Sequence, residues 1–334
     1  IPWIRFHLLM EPMMKEAHKR NRNPKYKAKY RVKNWSQYDK SLRNRGDITI
    51  WFSRDATKTW TPKPSGKRGR EQRYSDIAIE TVLTLRLLFH LPLRQAEGFV
   101  HSILHIMNID LPTPDHTTVS RRSKTLKPLL NARINPGKPL HVIVDSTGLS
   151  IHGEGPWSRH KEGLKRRRGW RKLHLMVDQN GKVLSVSLSK GTGRDASQVP
   201  RLLKDIKRPL DSFTGDRGYD VGSVYRSVLK HSPGAAIVVP PRANAVSSAT
   251  GKDEWIQRDN HIHKIRSIGV YNWRSESGYY RQSTVENGIY RYKTVMGRKL
   301  RARDENARLT EVILGCKILN RCLDLGGPVS VRVG

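Results

Sequence analysis

The ten residues His141–Ser150, HVIVDSTGLS, constrain this chain more than any other stretch. Val142, Ile143 and Val144 form a β-branched run, which reads as a fully buried strand. The run stops at Asp145, and Ser146, Thr147 and Gly148 then read as a turn. A carboxylate at the end of a buried strand sits on a rigid support yet still meets solvent. That setting suits a metal ligand or an acid–base group. It suits equally an Asp that organises a turn through nearby backbone N–H groups. Two later carboxylates bear on the choice.

From residue 138 onward the pattern is of strands. The segments WRKLHLMVD (170–178) and KVLSVSLS (182–189) flank Asn180-Gly181, the strongest hairpin signal in the chain. Asp195 to Ile206 is helical in pattern, with Val199, Leu202, Leu203 and Ile206 apolar. A short strand SFTGD (212–216), a helix over 222–230 and a strand AAIVVP (235–240) follow. Three strands, a helix, a strand, a helix and a strand is the order of a ribonuclease-H-like α/β fold built on a mixed sheet. In that fold, acidic residues lie on the first strand, after the fourth strand and on a late helix. Asp216, in TGDRGYD, ends the fourth strand as Asp145 ends the first. Glu286 lies in YYRQSTVENGIYRYK, whose helical period runs through Val285, Ile289 and Tyr292. Lys293 is two turns further along the face of Glu286, and Tyr290 shares the stripe. The plain alternative for Glu286 is a surface helix glutamate.

Lys and Arg number 63 against 29 Asp and Glu, a formal charge of +34. Such an excess points to a polyanionic partner, with nucleic acid the leading one. Apolar stretches are too short and interrupted to span a bilayer, and no signal segment opens the chain. The chain begins at Ile1 rather than Met, so a few residues upstream are expected. Cys316 and Cys322 share one apolar helical pattern and are too few for a disulfide framework or a four-thiolate zinc site. Buried thiols in a reducing, cytoplasmic setting, close to the nucleoid, are the expectation.

Residues 1–75 read as a basic arm and linker. Tyr26, Tyr30, Trp35, Tyr38, Trp51 and Trp60 punctuate it, as on an arm that orders on a phosphate backbone. A solvated tail is the alternative. Residues 76–130 read as a helical DNA-binding domain. Ser75 and Asp76 are caps for a first helix with Ile77, Val82, Leu85, Leu88 and Phe89 on its apolar faces. Pro92 ends it, and Arg94 to Met107 forms a second helix. Asp115 caps a third, which carries Arg121 and Arg122, so the group resembles a helix-turn-helix. Residues 138–325 form the third unit, closed by an amphipathic helix Leu309–Leu325 that packs on the sheet and stops at Gly326-Gly327. Within this unit KEGLKRRRGWRK (161–172) offers Lys165, Arg166, Arg167, Arg168, Arg171 and Lys172 to a phosphate backbone, with Trp170 to stack. His152, His160 and His174 show no metal-ligand spacing and read as polar or core histidines.

These segments together resemble bacterial insertion-sequence transposases of the DDE type, close to the insertion-sequence-five family. The resemblance runs from about Gly66 to the end. It rests on LPTPDHTTVSR, VIVDSTGLSIHGEGPW, RRRGWRKLHLMVD, TGDRGYD, SGYYRQSTVEN with its YRYK, and ILGCKILNR. The family signature Tyr-x-x-Arg-x-x-x-Glu, with Lys seven places after the Glu, is met by Tyr279, Glu286 and Lys293. Gln282 takes the arginine place, with Arg281 beside it.

The resemblance implies that Asp145, Asp216 and Glu286 hold two Mg²⁺ ions, with Mn²⁺ as a substitute, while Lys293, Tyr279 and Arg281 attend the phosphate. It implies cleavage and strand transfer on double-stranded DNA, at the terminal repeats of an insertion sequence and at a target, by a homo-oligomer such as a dimer. A catalytically silent DNA-binding descendant and a metal-dependent nuclease of the same fold, such as a junction resolvase, are the competing readings.

Overall fold

The computed structural model describes residues 30–333 apart from 65, 67, 70, 131, 133–136, 153–168 and 249–252. Its first strand, β1 (Tyr30–Val32), pairs antiparallel with its last, β8 (Ser330–Arg332). Three short helices follow β1: α1 (Trp35–Asn44), α2 (Ile48–Trp51) and α3 (Arg54–Lys58). The sequence reading puts the aromatics of this segment on a phosphate backbone; the structure buries two of them instead. Trp51 and Trp60 lie in the core, and their indole N–H groups donate to Arg45 O at 2.9 Å and Pro112 O at 2.8 Å. Burying so large an apolar surface outweighs the gain from exposing it to DNA, once the indole N–H has a partner. Tyr30 and Trp35 stay exposed, and Tyr26 lies outside the described residues.

The next three helices start where the caps lead one to expect. Helix α4 (Asp76–Leu88) is capped by Ser75, whose hydroxyl accepts the Ala78 N–H. Helix α5 (Leu93–Ile106) begins after Pro92, and α6 (His116–Arg122) is capped by Asp115 through the Thr117 and Thr118 N–H groups. Of the apolar residues assigned to α4, Val82 and Leu85 are fully buried while Ile77 and Phe89 face outward.

A six-stranded mixed sheet follows. It comprises β2 (His141–Ile151), β3 (Trp170–Asp178), β4 (Val183–Lys190), β5 (Ser212–Thr214), β6 (Ala236–Val238) and β7 (Lys299–Leu300). The order is β4-β3-β2-β5-β6. The first two pairings are antiparallel, the next two parallel, and β7 also joins β2 in parallel. Asn180 and Gly181 turn the β3–β4 hairpin, with the Asp178 carboxylate accepting the N–H of Asn180 and of Lys182.

The chain does not turn at Ser146–Gly148, because β2 runs on to Ile151 and stays paired with β3 as far as Ser150 opposite Trp170. The cross-strand ladder overrides the turn preference of those residues.

Helices cover both faces. Val142, Val144 and Met176 pack with Val199 and Leu202 of α7 (Val199–Lys204) and with Val224 and Val228 of α8 (Gly222–His231). Ile143, Leu149 and Leu175 face the other way. They meet Val285 and Ile289 of α10 (Gln282–Val295) and Val312 and Leu319 of α11 (Glu305–Asp324). That second cluster runs on without a break into Ile79, Val82 and Leu85 of α4. The Thr310 hydroxyl donates to Leu126 O, and Lys317 pairs with Glu80 across the same junction.

Between these parts lies α9 (Asp253–Glu276), which the sequence reading missed. A straight helix would hold residues twelve apart at about 18 Å. Yet Trp273 Nε1 donates to His261 Nδ1 at 3.0 Å, and Lys264 pairs with Glu276 at 2.7 Å. The chain doubles back at Gly269, whose φ of 80° and ψ of 158° are open to glycine and strained for other residues. Among the described residues no helix is long and apolar enough to cross a membrane.

Candidate active site

Asp145 lies where β2 has lost one partner and not yet gained the next. Strand β5 accompanies β2 only as far as Ile143 opposite Thr214, and β7 joins it at Ser150 opposite Lys299. Between these points one edge of β2 is open, a fork in the sheet. By the alternation of a strand, Asp145 shares a face with Ile143 and Leu149, toward α10. Its Oδ1 accepts the N–H of Ser146 at 2.7 Å, which holds the half-buried carboxylate against the open edge. Burial pushes its carboxyl up to about 6. The Ser146 bond opposes that shift, and the negative charges of Asp216, Glu286 and Asp195 add to it.

Asp216 comes two residues after β5 and caps the single 3₁₀ turn Arg217–Tyr219, accepting the Gly218 N–H at 2.8 Å. Glu286 stands exposed on the second turn of α10, one turn beyond Gln282. Gln282 is buried, and its Nε2 donates to Val144 O at the fork, at 3.2 Å. Tyr279 opens the 3₁₀ turn Tyr279–Arg281 that leads into α10. Its ring lies 5.7 Å from that of Trp273, with the Arg274 guanidinium over it. Burial raises the Tyr279 phenol, and Asp216, Glu286 and Asp145 all contribute. The three carboxylates and this hydroxyl thus share one electrostatic neighbourhood. Lys293 is half-buried further along α10. Arg281 is exposed near the start of β2, where its charge adds to burial in holding the His141 imidazole down.

The basic residues assigned to DNA fare unevenly. Lys165, Arg166, Arg167 and Arg168 lie outside the described residues. Arg171 pairs with Glu305, and Lys172 bonds Asp195 at 2.9 Å and Gly193 O at 3.1 Å, so both have acceptors within the chain. Arg122 is likewise engaged, with Tyr74 O at 2.9 Å and Asp76 at 2.5 Å. Arg121 stays exposed on the free side of α6. Trp170 is 54% exposed and lies over Gly148, where an added Cβ would come within 3.1 Å of its ring.

Sequence reasoning missed a second polar group behind Asp145. Asp195 faces the fully buried His174, whose Nδ1 is 3.8 Å away. Burial holds that imidazole down to about 4, with Asp195 opposing. The Tyr219 hydroxyl, also buried, has no hydrogen-bond partner among the described residues. Burial pushes its phenol far up, and Asp195, Asp145 and Asp216 add to the effect. Asp195 carries the signal that marked Asp145, an acidic residue soon after a buried strand.

Among the described residues no three His, Cys, Asp or Glu side chains are gathered tightly enough to hold a metal ion. The donor set at the fork still has the right chemistry. Its groups are hard carboxylate oxygens of the kind that bind Mg²⁺ or Mn²⁺. Their mutual repulsion, which adds to burial in raising Asp145, is what a divalent cation would relieve.

Two family models, each described as a transposase DDE domain, match the chain, one over residues 43–154 and the other over residues 136–321. The second covers more than half of the chain, including Asp145, Asp216, Glu286 and Lys293. A cryo-EM structure of the piggyBac transposase synaptic complex with hairpin DNA is similar at 11% identity over 84% of this chain and 73% of that chain. Its TM-score is 0.38, too low a likeness to carry an argument.

Proposed function

The chain belongs to the transposase DDE domain family, and on that premise we propose that it binds the ends of its own insertion sequence and cuts and joins them in a metal-dependent reaction. The observation that carries this reading is the fork. Asp145, on the interrupted edge of β2, feels Asp216 from the neighbouring strand and Glu286 from the helix above. Strand order, with two antiparallel and two parallel pairings, supports a ribonuclease-H-like core over 138–325. We assign 76–130 to DNA binding, and take the working unit to be a homo-oligomer on double-stranded DNA.

Asp145, Asp216 and Glu286 would hold two divalent cations, Mg²⁺ or Mn²⁺. When bound, such a pair activates the attacking hydroxyl and stabilises the leaving oxygen of an in-line displacement. Asp145 and Asp216 are already restrained, each by a backbone N–H that its own carboxylate accepts. Tyr279 supplies a hydroxyl donor beside the carboxylates, suited to a non-bridging phosphate oxygen. Lys293 and Arg281 bring positive charge to the same helix and hold the strand that reacts. The exposed Arg121, with Lys165–Arg168, belongs to the phosphate-tracking surface in this reading.

The test is to incubate the protein with Mg²⁺ and a labelled DNA end from its own element. Nicking followed by joining supports a transposase. Nicking without joining points to a nuclease of the same fold, and binding without either to a silent DNA-binding protein.

A further inference from the structure

Gln282 occupies the signature position where an arginine is the expectation, and the structure gives it a task of another kind. The side chain is only 5% exposed, so it is turned away from any DNA that approaches the solvent face of α10. Its amide N–H reaches Val144 O, the carbonyl immediately before Asp145, at 3.2 Å. That carbonyl lies just beyond the last β2–β5 pair, where β5 no longer runs alongside β2. One turn later on the same stripe of the helix stands Glu286. The other end of the amide, Oε1, is buried without a donor among the described residues. Flipping the group would set oxygen against oxygen, so the acceptor is left unpaired in order that the N–H can face the strand.

We infer that Gln282 is a positioning residue: it clamps the first turn of α10 to the fork and so sets the place of Glu286 relative to Asp145. It does not contact DNA phosphate. Its carboxamide replaces a ladder partner that the sheet does not provide, and the exposed Arg281 alongside is left for the phosphate. This inference rests on the reading of Asp145 and Glu286 as the site.

The experiment compares Gln282→Met, which fills the same space without a donor, and Gln282→Glu, which turns the donor into an acceptor. Ser283→Ala, an exposed neighbour whose hydroxyl donates to Tyr280 O, is the control. Three properties are measured: amide hydrogen exchange across residues 282–290, Mn²⁺ affinity by calorimetry without DNA, and affinity for and cleavage of a DNA end. In both Gln282 variants, exchange should be roughly tenfold faster and Mn²⁺ binding several-fold weaker. DNA affinity should stay within about twofold, and cleavage should fall by about 10- to 100-fold, the usual cost of a misplacement near 1 Å. Ser283→Ala should match wild type throughout.

Wild-type Mn²⁺ affinity and cleavage in Gln282→Met would overturn the inference, even with faster exchange, because the clamp would then be structural alone. A drop in DNA affinity with Mn²⁺ binding unchanged would overturn it in favour of a phosphate contact. If wild type itself binds no Mn²⁺ and cuts no DNA, the reading of the site fails and the positioning role falls with it. The exchange result still reports separately whether the clamp exists.

Discussion

Asp216 and Gly218 are in such close contact that a side chain added at Gly218 must push the Asp216 carboxylate aside. The Asp216 carboxylate accepts the Gly218 N–H at 2.8 Å, and a Cβ at Gly218 would lie 3.0 Å from the same oxygen. Gly218→Ala therefore displaces the carboxylate while leaving the core alone. We expect the variant to fold and bind DNA as wild type does, and to cleave about tenfold more slowly or worse, a loss near 1.4 kcal/mol in the barrier. Equal cleavage rates would remove Asp216 from the site.

Neutralising the acids separates chemistry from binding. Asp145→Asn, Asp216→Asn and Glu286→Gln keep shape and remove the charge that would hold a cation. DNA affinity comes mainly from basic groups, so it should hold or rise slightly. Cleavage should drop by orders of magnitude, and Lys293→Ala should lower it less. Filter binding and gel assays on one DNA end would measure both. A carboxylate variant that cuts at the wild-type rate in Mg²⁺ is not a ligand.

Acidity acts on two buried groups with opposite sign. In the metal-free folded chain Asp145 keeps its proton up to about 6, against 3.8 when unfolded. Its contribution to stability is full below the lower value and lost as pH rises through the higher. His174 titrates at about 4 when folded and 6.5 when unfolded, so its contribution is full above 6.5 and lost as pH falls through 4. The two offset each other between roughly pH 4 and 6. Asp145→Asn removes one of them. In EDTA its melting temperature should exceed that of wild type at pH 7 and fall more steeply on acidification. A constant offset between the two curves would contradict the assignment.

The cluster shared by α4 and the sheet predicts joint unfolding. Leu85 is fully buried in it, and Leu85→Ala should cost about 2–5 kcal/mol. Calorimetry should show the transition of the sheet moving together with that of the helices. Two transitions, of which only one moves, would mean that 76–130 folds as a separate domain.

Much of this was legible in the chain. Ser75, Pro92, Asp115 and Asn180-Gly181 act locally, through caps and a turn, and so they mark their elements directly. Asp145, Asp216 and Glu286 stand out as candidates because buried strands and a strong helical period leave few places for a carboxylate. The remainder depends on partners distant in sequence. Ser146–Gly148 look like a turn until Leu173 and His174 are seen to hold them in a ladder. Lys172 and Arg171 look free until Asp195 and Glu305 are placed. Trp51 and Trp60 look like a basic arm's aromatics until Arg45 and Pro112 accept their N–H groups. The reversal at Gly269 leaves too faint a trace, since a lone glycine inside a helical pattern is common.

Helix α10 is fastened to one strand edge by Gln282 at Val144, and the chain just beyond it returns to the same strand through β7 at Ser150 and Ile151. The open edge between those anchors is about 20 Å long at ~3.3 Å per residue, and fourteen helical residues span about 21 Å. The helix is thus a gauge cut to its gap. One inserted residue would turn everything beyond it by about 100° and add about 1.5 Å; three or four would come close to restoring the facing but overshoot the far anchor by roughly 4.5–6 Å. Within α10, then, a change in length shifts the register between the two anchors, which a substitution does not.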